Sequence, residues 1–444
     1  MASFLLAIGS SASAEPAAPA VSPTTAPWTN PSLDPDQRAE LIEQQMSDDE
    51  LLTVVKGYFG ANLKLTFIGP PPAELRPVLP GTAGYVPGIP RLGIPSLIET
   101  DAGVGIANSM HMRPGDTATA LPSTLLAAAT WNPDLAFQAG HAIGAEAHDR
   151  GYNVVLDGAH NLAREPRGGR TFEYAGEDPL LAGTMAGEAI RGIQSAHVIS
   201  TAKHFALNDQ ETGRGILSAN IAEAAMRESD LLAFEIAIEH GNPGAIMCAY
   251  NRVNGVYSCE NDFLLNQVLK RDWAFPGWVL SDWGGVHSTV AAANAGLDQE
   301  SASNFAGQGY FGPPLRKALA DGKVDHARLH DMAHRILRSM FANGLFDDPA
   351  VASGAPLKSH APEAQREAEE GIVLLKNADG LLPLAKTTRS IAVIGAHADV
   401  GMLSGGGSSQ VVPLGARRPS RSPLTTPSAT RAAANDALAA SSSP

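Results

Sequence analysis

Short apolar runs alternate with longer amphipathic segments from Ile94 to Ala342, and this alternation limits the possible folds more than any other feature of the chain. The strand-like runs are Ile94–Asp101, Asn153–Asp157, Val198–Lys203, Ala245–Tyr250 and Trp278–Asp282, with Ala295–Asp298 as a further candidate. Between them, helical patterns start at Trp131-Asn132-Pro133-Asp134 and at Asp178-Pro179, and others cover 222–240 and 261–271. A last helix is predicted over 327–342, where Leu329, Met332, Ala333, Ile336, Leu337, Met340 and Phe341 keep helical spacing and Gly344 stops it. Strands that alternate with helices build a parallel sheet, open or closed. The number of units favours a (β/α)8 TIM-like barrel, with a doubly wound open sheet as the alternative. No phosphate-cradling glycine fingerprint follows the first strand, which weakens a dinucleotide-binding reading.

Outside this block the pattern changes. Residues 34–56 read as helical, with Asp34 as cap and Pro35 as first helical residue, and Gly69–Pro90 reads as a long loop. Gly371–Asn377 and Ser390–Gly395 look like the opening strands of a second α/β domain, whose pattern collapses beyond Pro413 into Ala, Ser, Pro, Thr and Arg. The layout expected is therefore a signal peptide over 1–14, a linker over 15–33 and a barrel over 34–350. A linker with a partial second α/β sandwich domain follows over 351–414, then a disordered tail over 415–444. An unfinished layer of this kind is expected to expose apolar surface.

The signal reading rests on the apolar run Phe4–Ile8 and the small-residue site Ala12-Ser13-Ala14, although no positive charge precedes the run. It predicts export to the periplasm or the outside of the cell. Only two cysteines occur, Cys248 and Cys259, flanking an Asn-Gly turn; export would permit a disulfide, and two reduced, buried thiols fit the sequence equally well. A net charge of −14 with no long Lys/Arg cluster in the folded part argues against nucleic acid or an anionic membrane as partner. No apolar run approaches the roughly 20 residues of a membrane span. A small neutral ligand suits such a surface better.

In a barrel, side chains at the C-terminal ends of the strands converge on one mouth. That rule gathers Asp101, Lys203, His204, Tyr250, Asp282 and Trp283, and the loop Arg164–Tyr174 adds arginines, including Arg170. Carboxylates and cations would satisfy the hydroxyls of a sugar while an aromatic face stacks on its C–H groups. Plainer readings exist for each member. Asp282 could be a turn or helix cap, Lys203 and His204 a solvated pair, and the arginine-rich loop an ion-pair network closing the barrel. No H-x-H or H-E-x-x-H spacing supports a metal site, and no cofactor is implied.

Four stretches together carry a more specific message: Asn161–Glu173, Ala202-Lys203-His204-Phe205, Met247–Asn251 and Val279-Leu280-Ser281-Asp282-Trp283. In order and spacing, from about Pro35 to about Leu414, they resemble the β-glucosidase branch of glycoside hydrolase family three. The resemblance implies a retaining exo-acting β-glycosidase acting on a small β-glucoside or oligosaccharide, with Asp282 as nucleophile. It also implies that Asp101, Arg170, Lys203 and His204 grip the terminal sugar while Tyr250 and Trp283 stand beside the reacting carbon. Such an enzyme needs an ionised nucleophile, favoured by neighbouring Lys203, His204 or Arg170, and a second carboxyl roughly 5 Å away to protonate the leaving oxygen. Family members of this branch take that acid/base from the second domain, beyond the point where the likeness ends here. The β-N-acetylglucosaminidase branch uses a Lys-His-Phe-Pro-Gly-His-Gly loop, whereas this chain reads Lys203-His204-Phe205-Ala206-Leu207-Asn208-Asp209, which disfavours that branch. The acid/base is left unassigned, and a truncated or frame-shifted chain is the expectation. Two functions follow: a β-glucosidase-type hydrolase, or a sugar-binding remnant with little turnover.

Overall fold

The computed structural model describes residues 26–414, apart from 64–65, 158–159, 306–308, 355–356, 358, 393, 396 and 398–400. The predicted signal peptide and the predicted tail lie outside the described residues.

Ten short strands are present among the described residues: β1 (Tyr58–Phe59), β2 (Gly84–Val86), β3 (Leu97–Asp101), β4 (Val154–Leu156), β5 (Ile199–Phe205), β6 (Ser218–Ala219), β7 (Ala245–Cys248), β8 (Arg252–Val253), β9 (Val256–Tyr257) and β10 (Trp278–Ser281). Seven of them form one sheet in the order β1-β2-β3-β4-β5-β7-β10. From β3 onward its pairs are parallel, while β2 runs antiparallel to both β1 and β3. The segment 298–300 then links the two edges. Ser281 N–H donates to Gln299 O at 3.0 Å, Glu300 N–H to Val55 O at 3.1 Å and Gly57 N–H to Glu300 O at 2.8 Å, so the ring closes as a TIM-like barrel. Asp298 braces this seam. Its buried carboxylate accepts from Lys270, Arg328 and the Val279 N–H, which fixes the start of β10.

The parallel strands are buried along their length, as a sheet covered by helices requires, and Trp278, Val279 and Leu280 have no exposed surface. Each such side chain stabilises the fold by about 1.5–3 kcal/mol relative to exposure. Helices 133–149, 179–194, 230–241 and 326–342 cover the barrel, and all seven apolar positions named above for the last of these are buried. The stop after it is also as expected, since Gly344 holds a φ of 78° that favours glycine.

Helices 133–149 and 179–194 approach backbone to backbone. A Cβ at Gly192 would lie 2.1 Å from Phe137 O, and one at Gly140 would lie 2.1 Å from Ala189 O. Gly192→Ala should therefore force the pair apart and cost about 1–3 kcal/mol. Thermal melting checks this: an unchanged Tm would mean that the two helices separate freely.

Several expectations need correction. The expected loop 69–90 contains β2, which the Gly- and Pro-rich composition around it hides. Residues 34–56 form two helices, Pro35–Glu43 and Asp48–Val54, because Ser47 and Glu50 make a capping box that starts the second. The helix expected over 261–271 winds as a π-helix over Phe263–Asp272. Gly371–Asn377 and Ser390–Gly395 form no strands among the described residues. Neither run has a neighbouring strand among the described residues to complete a ladder, and Leu375 and Ile394 are more than nine-tenths exposed. The exposed apolar surface expected there is present. What this region does contribute is a returning segment. Ala118 N–H donates to Val412 O at 2.8 Å, Asn108 N–H donates to Gln410 O at 2.8 Å, and Val411 is buried beside Ile106 and Ala118.

Candidate active site

All seven residues singled out from the sequence line one cavity of about 640 Å³ at the C-terminal ends of the strands. Asp101 ends β3, Lys203 and His204 lie near the end of β5, Tyr250 follows β7, and Asp282 with Trp283 follows β10. Residues 406–408 of the returning segment close one side of the rim.

Asp282 is 8% exposed. Its Oδ1 accepts the Trp283 N–H at 2.7 Å, and Trp283 is anchored in turn through Nε1, which donates to Ala83 O at 2.9 Å. The Tyr250 hydroxyl donates to Trp283 O at 2.7 Å and so packs its ring against the same turn. Burial raises the carboxyl of Asp282 above the usual range, and Arg214 and then Arg170 oppose this without cancelling it. That corrects the expected electrostatics. His204 is neutral: burial, then Arg170 and Lys203, press its pKa far below the ordinary value. Lys203 turns away, donating from Nζ to Leu156 O at 2.6 Å with Asp101 Oδ1 at 3.7 Å. The leading cation on Asp282 is Arg214, which the strand-end rule does not find because it lies in the loop Thr212-Gly213-Arg214-Gly215, well past β5.

Around this carboxylate the other groups are held firmly. Arg170 donates from Nη2 to Glu173 Oε2 at 2.6 Å and from Nη1 to His204 Nε2 at 2.9 Å. Since Nε2 accepts, the His204 proton sits on Nδ1, which has no partner among the described residues. Asn161 clamps the His204 backbone, accepting from its N–H and donating to its carbonyl, both at 2.9 Å. Burial would raise Glu173, but Arg170 and Lys203 outweigh it and hold the carboxyl below its usual range. The other oxygen of Glu173 accepts from the Ser409 hydroxyl, a direct link to the returning segment. Asp101 is pushed up to about 6 by burial, against the pull of Lys203 and Arg170. Glu211 pairs with Arg214 at 2.6 Å, and the Arg214 guanidinium lies 4.2 Å from the centre of the Tyr250 ring.

The outer wall is apolar, with the Phe305 ring in contact with both Phe59 and Phe67. The sequence reading missed this wall, because it is assembled from loops far apart in the chain. It also left the state of Cys248 and Cys259 open; they form a disulfide. Among the described residues no group of three His, Cys, Asp or Glu side chains could hold a metal ion.

Residues 88–338 match the glycosyl hydrolase family 3 N-terminal domain, and 372–441 match the family's C-terminal domain. The chain belongs to glycosyl hydrolase family 3. It is 37% identical to a probable β-glucosidase J of Emericella nidulans over 326 residues, covering 73% of this chain and 38% of that protein. It is likewise 37% identical to an exo-α-(1→6)-L-arabinopyranosidase of Bifidobacterium longum over 356 residues, 75% of this chain and 45% of that one. Among solved structures, β-glucosidase 3B of Thermotoga neapolitana in complex with glucose superposes with a TM-score of 0.70 at 33% identity, covering 78% of this chain and 48% of that one. This family 3 chain thus spans less than half the length of the curated relatives it matches.

Proposed function

We propose that the barrel hydrolyses terminal non-reducing β-D-glucosyl residues with retention of configuration, through a covalent glycosyl ester on Asp282. One observation carries this reading: a buried carboxylate at the floor of a sugar-sized cavity, with Arg214 and Arg170 favouring its ionised form. Asp101, Lys203 and Arg170 supply acceptors and donors for ring hydroxyls, and His204 lines the same cavity. Trp283 and Tyr250 flank the point of attack.

Protonation of the leaving oxygen is not assigned to any described carboxyl. Glu173 and Glu211 are both committed to arginines, and Asp101 belongs with Lys203 to the sugar-gripping set. A chain working this way favours leaving groups that depart without a proton. With 2,4-dinitrophenyl β-glucoside and cellobiose compared at equal concentration, turnover of the first should exceed that of the second by at least about a hundredfold, the usual scale of general acid catalysis. Equal, brisk turnover of both would overturn the unassigned proton donor. Binding of glucose with turnover of neither would favour the second reading, a sugar-binding chain with little catalysis. An aryl α-L-arabinopyranoside belongs in the same panel, since a relative carries that activity in its name. The proposal also places the chain outside the cytoplasm. The Cys248–Cys259 disulfide supports this, because such bonds persist in oxidising compartments.

A further inference from the structure

Beside the pocket stands a small three-stranded sheet, β6-β8-β9, that contributes no lining residue of its own. Its hairpin β8–β9 lies inside the loop closed by the Cys248–Cys259 disulfide, and Tyr250 lies inside the same loop. Arg252 N–H donates to Leu217 O at 2.9 Å and Asn254 N–H to Ala219 O at 2.9 Å, so the hairpin grips the chain just beyond Arg214. Tyr257, at the end of β9, joins three things at once. Its hydroxyl accepts from Arg252 Nη2 at 2.8 Å and donates to Gly215 O at 3.3 Å, at the residue next to Arg214. Its ring stacks on His287 with centroids 3.6 Å apart and planes 18° from parallel. His287 in turn lies on the connection that runs from Asp282 to the helix Val290–Asn294. One side chain therefore ties the loop of the leading cation to the loop of the carboxylate which that cation faces.

We propose that Tyr257 is a positioning residue: through Gly215 and His287 it holds the Arg214 guanidinium in register with the Asp282 carboxylate, without touching the sugar. The inference rests on the reading of Asp282 as nucleophile for its catalytic meaning, and on the contacts of Tyr257 with Gly215 and His287 for its placement. The groups that face Asp282 are Arg214, Arg170, Tyr250, His204 at 3.7 Å and the like-charged Asp101. Of these, only Arg214 sits on a loop that Tyr257 holds. Loosening that loop weakens the pull toward the ionised form, so Asp282 takes up its proton at a higher pH.

The test reads the Asp282 midpoint directly by carbon-13 NMR of labelled aspartate carboxyls in the full chain, with Asp282→Asn assigning the signal. Tyr257→Phe keeps the ring stack and loses both hydroxyl contacts. It should raise the midpoint by about half a pH unit or more, and Arg214→Met should raise it further. Tyr257→Phe added to Arg214→Met should shift nothing more, and the pH at which a 2-fluoro glucosyl fluoride labels Asp282 half-maximally should move up with the single variant. A midpoint in Tyr257→Phe equal to that of the parent overturns the proposal, as does an equal shift added on top of Arg214→Met. A change in Tm with no change in midpoint overturns it too, since that is what a merely structural role gives. Shifted midpoints with no labelling of Asp282 in any variant uphold the placement of Tyr257 and remove Asp282 as nucleophile.

Discussion

Asp282→Asn lowers turnover of an activated aryl β-glucoside by at least about a thousandfold, equivalent to roughly 4 kcal/mol of lost transition-state stabilisation. The substitution keeps the shape of the side chain and its acceptor for the Trp283 N–H, so the turn should hold. What disappears is the charge that attacks the anomeric carbon. In the parent protein a 2-fluoro glycoside should leave a glycosyl mass on the peptide containing Asp282, and in the variant that mass should be absent. Because burial lifts the Asp282 carboxyl and attack needs the ionised form, labelling by the parent is full above the raised midpoint and fades as the pH falls through it. An adduct that survives in Asp282→Asn would move the nucleophile elsewhere.

Arg170→Met carries the second-largest effect, because it strips three groups at once. The Glu173 side chain, 3% exposed, loses its ion pair, and His204 Nε2 loses its donor. Breaking one side of a buried pair costs about 3–5 kcal/mol, since the remaining carboxylate has no water to turn to. Asp282 also loses the second of its two cationic neighbours. The expected result is a fall in Tm of several degrees together with loss of glucose binding by calorimetry. Adding Glu173→Gln should recover part of the stability and none of the binding, because it removes the stranded charge without restoring a donor to His204. Recovery of both would show that Arg170 serves the fold alone.

Much of the barrel could be read from periodicity. Buried parallel strands leave continuous apolar runs such as Trp278–Leu280, and the helix 326–342 shows its buried stripe because every third or fourth side chain meets the sheet. β2 left no such trace: at three residues between glycines and prolines, and paired antiparallel, it takes its conformation from its neighbours β1 and β3. The runs 371–377 and 390–395 failed in the opposite way, since their apolar composition is that of strands and no partner strand among the described residues pairs with them.

Local sequence determined which residues stand at the strand ends, and so brought Asp101, Lys203, His204, Tyr250, Asp282 and Trp283 to one mouth, because a strand's last side chain can only emerge at the rim of its barrel. Only tertiary structure decided their charges. Burial made His204 neutral and turned Lys203 toward Leu156 O, and Arg214 became the leading cation through a loop whose position no periodicity encodes. The reason is physical: the direction of a strand is set by contacts a few residues long, whereas the field at a carboxylate sums over every charge within reach, whatever its distance along the chain.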